Sequence, residues 1–379
     1  MSGAAAAALG DLPLREDLRG QSPYGAPQLD VPVALNTNEN SFPLPPALVA
    51  AIPGAVAEVA GTLNRYPERE AQALRADLAA YLGRGLTADE VWAANGSNEI
   101  LQELMQAFAG PGRTVLGFTP TYSMHPILAR GVGSTFIDGM RAGDFTVAPD
   151  SAAEQVARHA PDVVLLCSPN NPTGTALDPE VVRAVLAVAP GMVIVDEAYA
   201  EFARPGSVSA LDLLPGHPRL VVTRTMSKAF GMAGLRLGYL AASSAVVDAV
   251  QLVRLPYHLS SVTQAVARTA LAHAGALLST VEAIKAQRDR IVRVATELGC
   301  TCAPSDANFV LIGEFADSAK VWTDLLELGV LVRDVGIPGW LRVTAGTPSE
   351  TSTFLSALSA IASEPGAVIA ATNVGQEST

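Results

Sequence analysis

Three short apolar runs, V-V-L-L-C at 163–167, M-V-I-V at 192–195 and L-V-V-T at 220–223, limit what this chain can become more than any other feature. None alternates polar with apolar residues, so each needs cover on both faces, as strands of a parallel sheet have. Helix-like segments separate them, and this strand, crossover, strand repetition implies a mainly parallel sheet with helices on both sides, an α/β fold. Such sheets place ligand chemistry at the carboxyl ends of their strands. A dinucleotide fold shares the pattern, but G-V-G-S-T-F at 131–136 lacks the third glycine and opens no clear helix after a strand.

Beyond the first run lies P-N-N-P-T-G at 169–174, beyond the second D-E-A-Y at 196–199, and beyond the third T-M-S-K-A-F and G-L-R-L-G-Y. Lys228 stands there among Thr225, Ser227 and the glycines Gly231 and Gly234, ahead of Arg236. A lysine attacks an aldehyde only when its pKa is lowered, and burial near a cation such as Arg236 lowers it. A lone S-K dipeptide is more often a surface lysine; the two upstream motifs change that balance. Pyridoxal 5'-phosphate needs an acid that keeps its ring nitrogen protonated, donors to its phenolic oxygen and a lysine for its aldehyde. Asp196, Asn171 with Tyr199, and Lys228 supply these in turn.

The phosphate of such a cofactor needs an anion site. V-W-A-A-N-G-S-N-E at 91–99 reads as a strand end, a glycine turn and the start of an amphipathic helix, whose first backbone N–H groups, with Ser97 and Asn98, make a cradle that needs no basic residue. Simple helix capping by Ser97 or Asn98 is the alternative. Two arginines near the end of the chain, Arg333 and Arg342, lie at or beside strand ends. They are natural bidentate clamps for carboxylate or phosphate, with surface ion pairing as the bland alternative.

Composition narrows the partners. The 379 residues carry a net charge of −12, which argues against a nucleic-acid-binding surface or a polybasic membrane patch. No apolar run is long enough to span a bilayer. The alanine run at the N-terminus lacks a basic region before it and leads into the acidic D-L-P-L-R-E-D, so it reads as a frayed terminus and not as a signal peptide. Three cysteines without metal-ligand spacing fit a reducing cytoplasm, and five scattered histidines give no metal motif, so no metal is expected.

The organisation expected is an N-terminal arm over 1–46, a large cofactor-binding domain over 47–257, and a linking helix with a small α/β domain over 258–363. A disordered tail over 364–379 follows. The arm is rich in proline and asparagine, and its L-N-T-N-E-N segment, with Asn38, looks like a short strand running into a substrate-side loop. An alanine-rich helical stretch runs to about Gly299, and L-G-V-L-V-R-D-V and W-L-R-V-T-A-G-T look like strands of the smaller lobe.

These motifs agree in identity, order and spacing with one family, and the chain resembles the fold-type I pyridoxal-phosphate aminotransferases. The likeness covers nearly the whole length. It is nearest to the histidinol-phosphate aminotransferases of class II, through S-P-Y-G-A-P, L-N-T-N-E-N, N-R-Y-P, G-S-N-E-I-L, P-T-Y-S-M, P-N-N-P-T-G, D-E-A-Y, T-M-S-K-A-F, P-Y-H-L-S-S and D-A-N-F-V. Ser41, where the family continues with proline, is a departure that touches only loop rigidity. The resemblance implies a homodimer with shared sites, in which Tyr66 reaches the neighbour's cofactor phosphate beside Ser97, Asn98, Thr225, Ser227 and Arg236. It implies that Tyr122 stacks on the pyridine ring and that Tyr24 and Tyr257 meet the substrate phosphate. It also implies transamination between histidinol phosphate and 2-oxoglutarate. An aromatic aminotransferase or a phosphothreonine decarboxylase on the same scaffold remains open. So does a non-catalytic cofactor-binding regulator, although the basic extension such a module carries is missing here.

Overall fold

The computed structural model describes residues 9–363. The tail over 364–379 and residues 1–8, which hold the whole alanine run, lie outside the described residues. Between 9 and 45 the chain is mostly irregular, as its prolines dictate, with two short 3-10 turns and one short strand, β1 (Val33–Ala34). Helix α1 (Pro46–Ala60) starts on a proline, whose missing N–H is no loss in a first turn. Helix α2 (Gln72–Leu82) stops at Gly83, where φ is 70° and glycine is favoured.

The large sheet and its cover follow as β2 (Val91–Ala94), α3 (Ser97–Phe108), β3 (Thr114–Thr119), α4 (Met124–Gly131), β4 (Thr135–Met140), α5 (Pro149–His159), β5 (Val163–Cys167), α6 (Pro179–Val188), β6 (Met192–Asp196), β7 (Leu220–Thr225) and β8 (Gly238–Ala242). In space the strands run β2-β8-β7-β6-β5-β3-β4. All neighbours from β4 to β7 pair parallel, and β8 alone is reversed against β7 and β2. Every residue of β5, β6 and β7 is buried, because apolar clusters cover both sheet faces. This is the mainly parallel, doubly covered sheet that the three apolar runs require.

Helices α7 (Ser244–Gln251), α8 (Ser261–Ala272) and α9 (Ala274–Glu297) lead out of the large sheet. The single alanine-rich stretch expected from sequence is thus two helices. The break is His273, whose ring Nδ1 lies 2.9 Å from the Thr269 carbonyl oxygen and serves one of the last carbonyls of α8. The second lobe holds β9 (Thr301–Cys302), β10 (Phe309–Gly313), α10 (Ser318–Glu327), β11 (Val330–Leu331), β12 (Arg333–Asp334), β13 (Trp340–Thr344) and α11 (Pro348–Ala362). Its antiparallel sheet runs β12-β13-β10-β9. The segment L-G-V-L-V-R-D-V is two short strands and not one, because it serves two partners. Val330 and Leu331 pair with Val33 and Ala34 of the arm, while Arg333 and Asp334 pair with β13.

The arm is therefore stitched to the second lobe. That lobe shares an apolar cluster with Tyr199 and Ala229, which flank the strand ends of the large sheet. Among the described residues no helix is long and apolar enough to cross a membrane.

Candidate active site

A cavity of about 260 Å³ opens at the carboxyl ends of β5, β6 and β7, between the large sheet, the arm and β12–β13. Tyr24, Asn38, Ser97, Asn98, Tyr122, Asn171, Asp196, Tyr199, Thr225, Ser227, Lys228, Arg236, Arg333 and Arg342 all line it. Residues expected from separate motifs, spread over more than three hundred positions, are thus brought to one place. Tyr66 and Tyr257 are not. Their rings stack on each other at 4.5 Å, and Tyr66 is 80% exposed, outside the cavity of its own chain.

At the floor, the register that sets Asp196 beside Cys167 and Thr223 places its carboxylate at the end of β6. Thr223 Oγ1 donates to Asp196 Oδ1 at 3.1 Å, and His125 Nε2 stands 3.4 Å from Oδ2. In the sequence His125 is one of five scattered histidines and belongs to no motif. Its signal was position, since it follows Tyr122 by nearly one turn, and its ring indeed packs edge-on against Tyr122 at 5.6 Å. His125 is fully buried, and Thr121 Oγ1 lies 3.2 Å from its Nδ1.

On the side of β7, Lys228 Nζ donates to the carbonyl oxygen of Thr37 at 3.1 Å. Burial lowers its pKa to about 8; Arg342 adds to this, Glu39 opposes it, and Arg236 contributes last. The expected cation effect is present, but Arg342 from the second lobe outweighs the sequence neighbour Arg236. A linkage follows. Between about pH 8 and the lysine's ordinary value of 10.5, the unfolded chain holds a proton that the folded cofactor-free chain does not, so stability rises with pH there. Below that window the folded protein carries the cost of a poorly solvated ammonium. Lys228→Met should therefore stabilise the cofactor-free protein at pH 7 by about 2 kcal/mol, reduced from the full shift because the pocket is open to water. Urea denaturation at pH 7 and pH 10 checks this: the advantage should shrink at the higher pH, and one that grows would contradict it.

Asn38 Nδ2 donates to the Tyr199 hydroxyl at 3.0 Å, which leaves the phenolic proton available to the cavity. Burial raises the Tyr199 pKa well above the ordinary phenol value, so this proton stays in place. Tyr122, raised to about 12 chiefly by burial, donates to Asn98 Oδ1 at 3.3 Å. Arg342 is buried. Its Nη1 donates to Asn171 Oδ1 at 2.6 Å and its Nη2 to the Asn36 carbonyl at 2.7 Å, while Nε has no partner among the described residues. Arg333 reaches the Gly25 carbonyl at 3.2 Å, and its guanidinium carbon lies 5.9 Å from the Tyr24 ring centroid.

The wall formed by α3 is an anion cradle. Gly96, the residue before the helix, has a φ of 89° and offers no side-chain cap to the first N–H groups. The Arg236 guanidinium occupies the space that a Cβ on Gly96 would fill, and Arg236 Nη1 also donates to Ser227 Oγ at 3.3 Å. A helix start, the three hydroxyls of Ser97, Thr225 and Ser227 and a guanidinium make a site for a phosphate. A carboxylate, a protonated phenol and a lysine of lowered pKa stand in the same cavity. This donor set fits pyridoxal phosphate.

The profile of the family "Aminotransferase class I and II" matches residues 31–358. The chain belongs to the class I and II aminotransferases. Among relatives, the histidinol-phosphate aminotransferase of Frankia casuarinae is 65% identical over 355 residues, covering 92% of this chain and 89% of that one. That of Thermobifida fusca is 61% identical, covering 92% and 95%. Among solved structures, histidinol-phosphate aminotransferase from Sinorhizobium meliloti in complex with pyridoxal-5'-phosphate superposes with a TM-score of 0.80 at 26% identity, covering 88% of this chain and 91% of that one. As in other class I and II aminotransferases, the fold is the type I α/β architecture and the cofactor is pyridoxal phosphate.

Proposed function

We infer that this aminotransferase interconverts L-histidinol phosphate and 2-oxoglutarate with imidazole acetol phosphate and L-glutamate, a step of histidine biosynthesis. The observation that carries the reading is a pocket with two anion sites, one at α3 and one at Arg342, in a chain 65% identical to a histidinol-phosphate aminotransferase. Both amine donors are anionic, so a second cationic site is a chemical requirement of the reaction.

Ser97, Asn98, Thr225, Ser227 and Arg236 would hold the cofactor phosphate, with Tyr122 against the ring face. When bound, pyridoxal phosphate supplies an aldehyde for the incoming amine and a protonated ring that takes up the electron pair left as the α-proton departs. Asp196, oriented by Thr223 and His125, holds the proton on the ring nitrogen. Tyr199 and Asn171 donate to the phenolic oxygen. Lys228 is the base that would move the proton between the substrate α-carbon and the cofactor carbon that carries the nitrogen, in one direction with the amine and in the other with 2-oxoglutarate. Arg342, with its buried unpartnered Nε, takes the anionic end of either substrate, assisted by Arg333, Tyr24 and Asn38.

We place the enzyme in the cytoplasm as a homodimer in which Tyr66 of the partner subunit completes the cofactor-phosphate site, and Tyr257 meets the substrate phosphate. What supports the dimer is the exposure of Tyr66 outside its own pocket, with Leu63, Leu252 and Leu255 also exposed. The domain limits 1–46, 47–257 and 258–363 remain our proposed division, with the arm tied to the second lobe through β1 and β11.

Gly96→Ala tests the phosphate cradle. A Cβ there meets the guanidinium and strains a residue with positive φ, so cofactor affinity should fall at least about tenfold. Fluorescence titration of the cofactor-free variant measures it, and an unchanged dissociation constant would refute the assignment. The substrate reading is tested by kcat/KM for L-histidinol phosphate against L-phenylalanine, each with 2-oxoglutarate. A strong preference for histidinol phosphate supports it, and the reverse preference makes the protein an aromatic aminotransferase on the same scaffold.

A further inference from the structure

The substrate pocket has a charge that its anion-binding task does not explain. Lys228, Arg236, Arg333 and Arg342 line it, as does Asp196, which is engaged by Thr223 and His125. The remaining carboxylate on its wall is Glu39, exposed at the mouth. Among the described residues its hydrogen-bonding partner is Thr37, whose Oγ1 donates to Oε2 at 2.9 Å. The backbone beneath is held by two residues: Asn38 N donates to Thr344 Oγ1 at 3.0 Å, and Asn308 Nδ2 donates to the carbonyls of Asn38 at 3.1 Å and Glu39 at 3.4 Å. The side chain is therefore presented from a fixed loop, close enough to Lys228 for its charge to act on the ammonium.

A carboxylate here repels every carboxylate and phosphate the pocket must collect. Beyond its pull on the Lys228 ammonium, it favours binding only if a ligand brings a donor to it. Glutamate and 2-oxoglutarate carry no side-chain donor. Histidinol phosphate carries an imidazole, which has an N–H donor in both protonation states and, with an ordinary pKa near 6.5, is partly cationic at neutral pH. We propose that Glu39 recognises the imidazole of the substrate by accepting its ring N–H at the mouth of the pocket, and so selects the imidazole-bearing amine over other donors. The proposal rests on the substrate reading given above. With the phosphate drawn to Arg342 and Arg333 and the amine to Lys228, the ring is the part of the substrate left to be read.

The test is kcat/KM of the holoenzyme and of Glu39→Gln for L-histidinol phosphate and for L-glutamate. Loss of a charge-assisted hydrogen bond should lower the first by about tenfold to a hundredfold, while the second changes less than about threefold or rises as repulsion is relieved. Glu39→Asp, which keeps the charge on a shorter arm, should fall between. A ratio of the two constants that Glu39→Gln leaves unchanged overturns the proposal, whether both fall together or neither falls. Wild-type enzyme that converts histidinol phosphate while the ratio stays fixed removes Glu39 alone. Wild-type enzyme that does not convert histidinol phosphate removes the substrate reading as well.

Discussion

Replacing Lys228 with alanine is expected to lower kcat by at least about 10⁴-fold. A positioned general base is worth about 10² to 10⁴, and this lysine also forms the covalent link to the cofactor aldehyde. Its amine has no substitute within the site. The other cation on the large-sheet wall, Arg236, is turned toward Ser227 and the Ala233 carbonyl, and a guanidinium does not deprotonate in proteins. The variant should still fold and still bind the cofactor, because the α3 cradle, Ser227 and Arg236 do not depend on the lysine. Steady-state kinetics with L-histidinol phosphate, run beside a cofactor titration, separates the two effects. Activity within about tenfold of wild type would exclude Lys228 as the base.

The second large effect is expected at Asp196. Asparagine is nearly isosteric and can still accept from Thr223 Oγ1, so the strand end should be preserved. What it removes is the negative charge that keeps the ring nitrogen protonated. Loss of such a preorganised charge at the reacting system costs about 10² to 10³ in kcat. Asp196→Asn should show this with little change in cofactor affinity. His125→Ala acts only through the carboxylate at 3.4 Å and should cost about tenfold. Equal losses in the two variants would mean that the histidine does more than orient the aspartate, and an Asp196→Asn enzyme within fivefold of wild type would contradict the role of the charge.

Much of this was legible in the sequence because the information is local. The unbroken apolar runs of β5, β6 and β7 report burial on both faces, and each is followed directly by the motif that reaches the pocket. Lys228, Asp196, Tyr199 and Asn171 were readable for that reason. Other features depend on contacts between distant segments and leave no local trace. His125 looks like any buried histidine until the sheet register brings Asp196 to it. The pKa of Lys228 depends more on Arg342, from the second lobe, than on Arg236 eight residues away. The break at His273 comes from a side chain serving a carbonyl, within an alanine-rich stretch whose composition reads as one helix. Tyr66 and Tyr257 carry the opposite lesson. Their motifs point to the site, yet one chain leaves them stacked outside it, and the role proposed for Tyr66 belongs to a neighbouring subunit that a single sequence does not display.

Transamination of histidinol phosphate at Lys228 requires that the amino group be parked on the enzyme between substrates. The most direct test is a single half-reaction: cofactor-loaded protein mixed with excess L-histidinol phosphate and no acceptor, with the keto product counted. One equivalent of imidazole acetol phosphate per subunit is expected, released in a burst that stops until 2-oxoglutarate is added, and none from the Lys228→Ala protein. No burst from the wild-type protein, or product that continues to form without an acceptor, would contradict it.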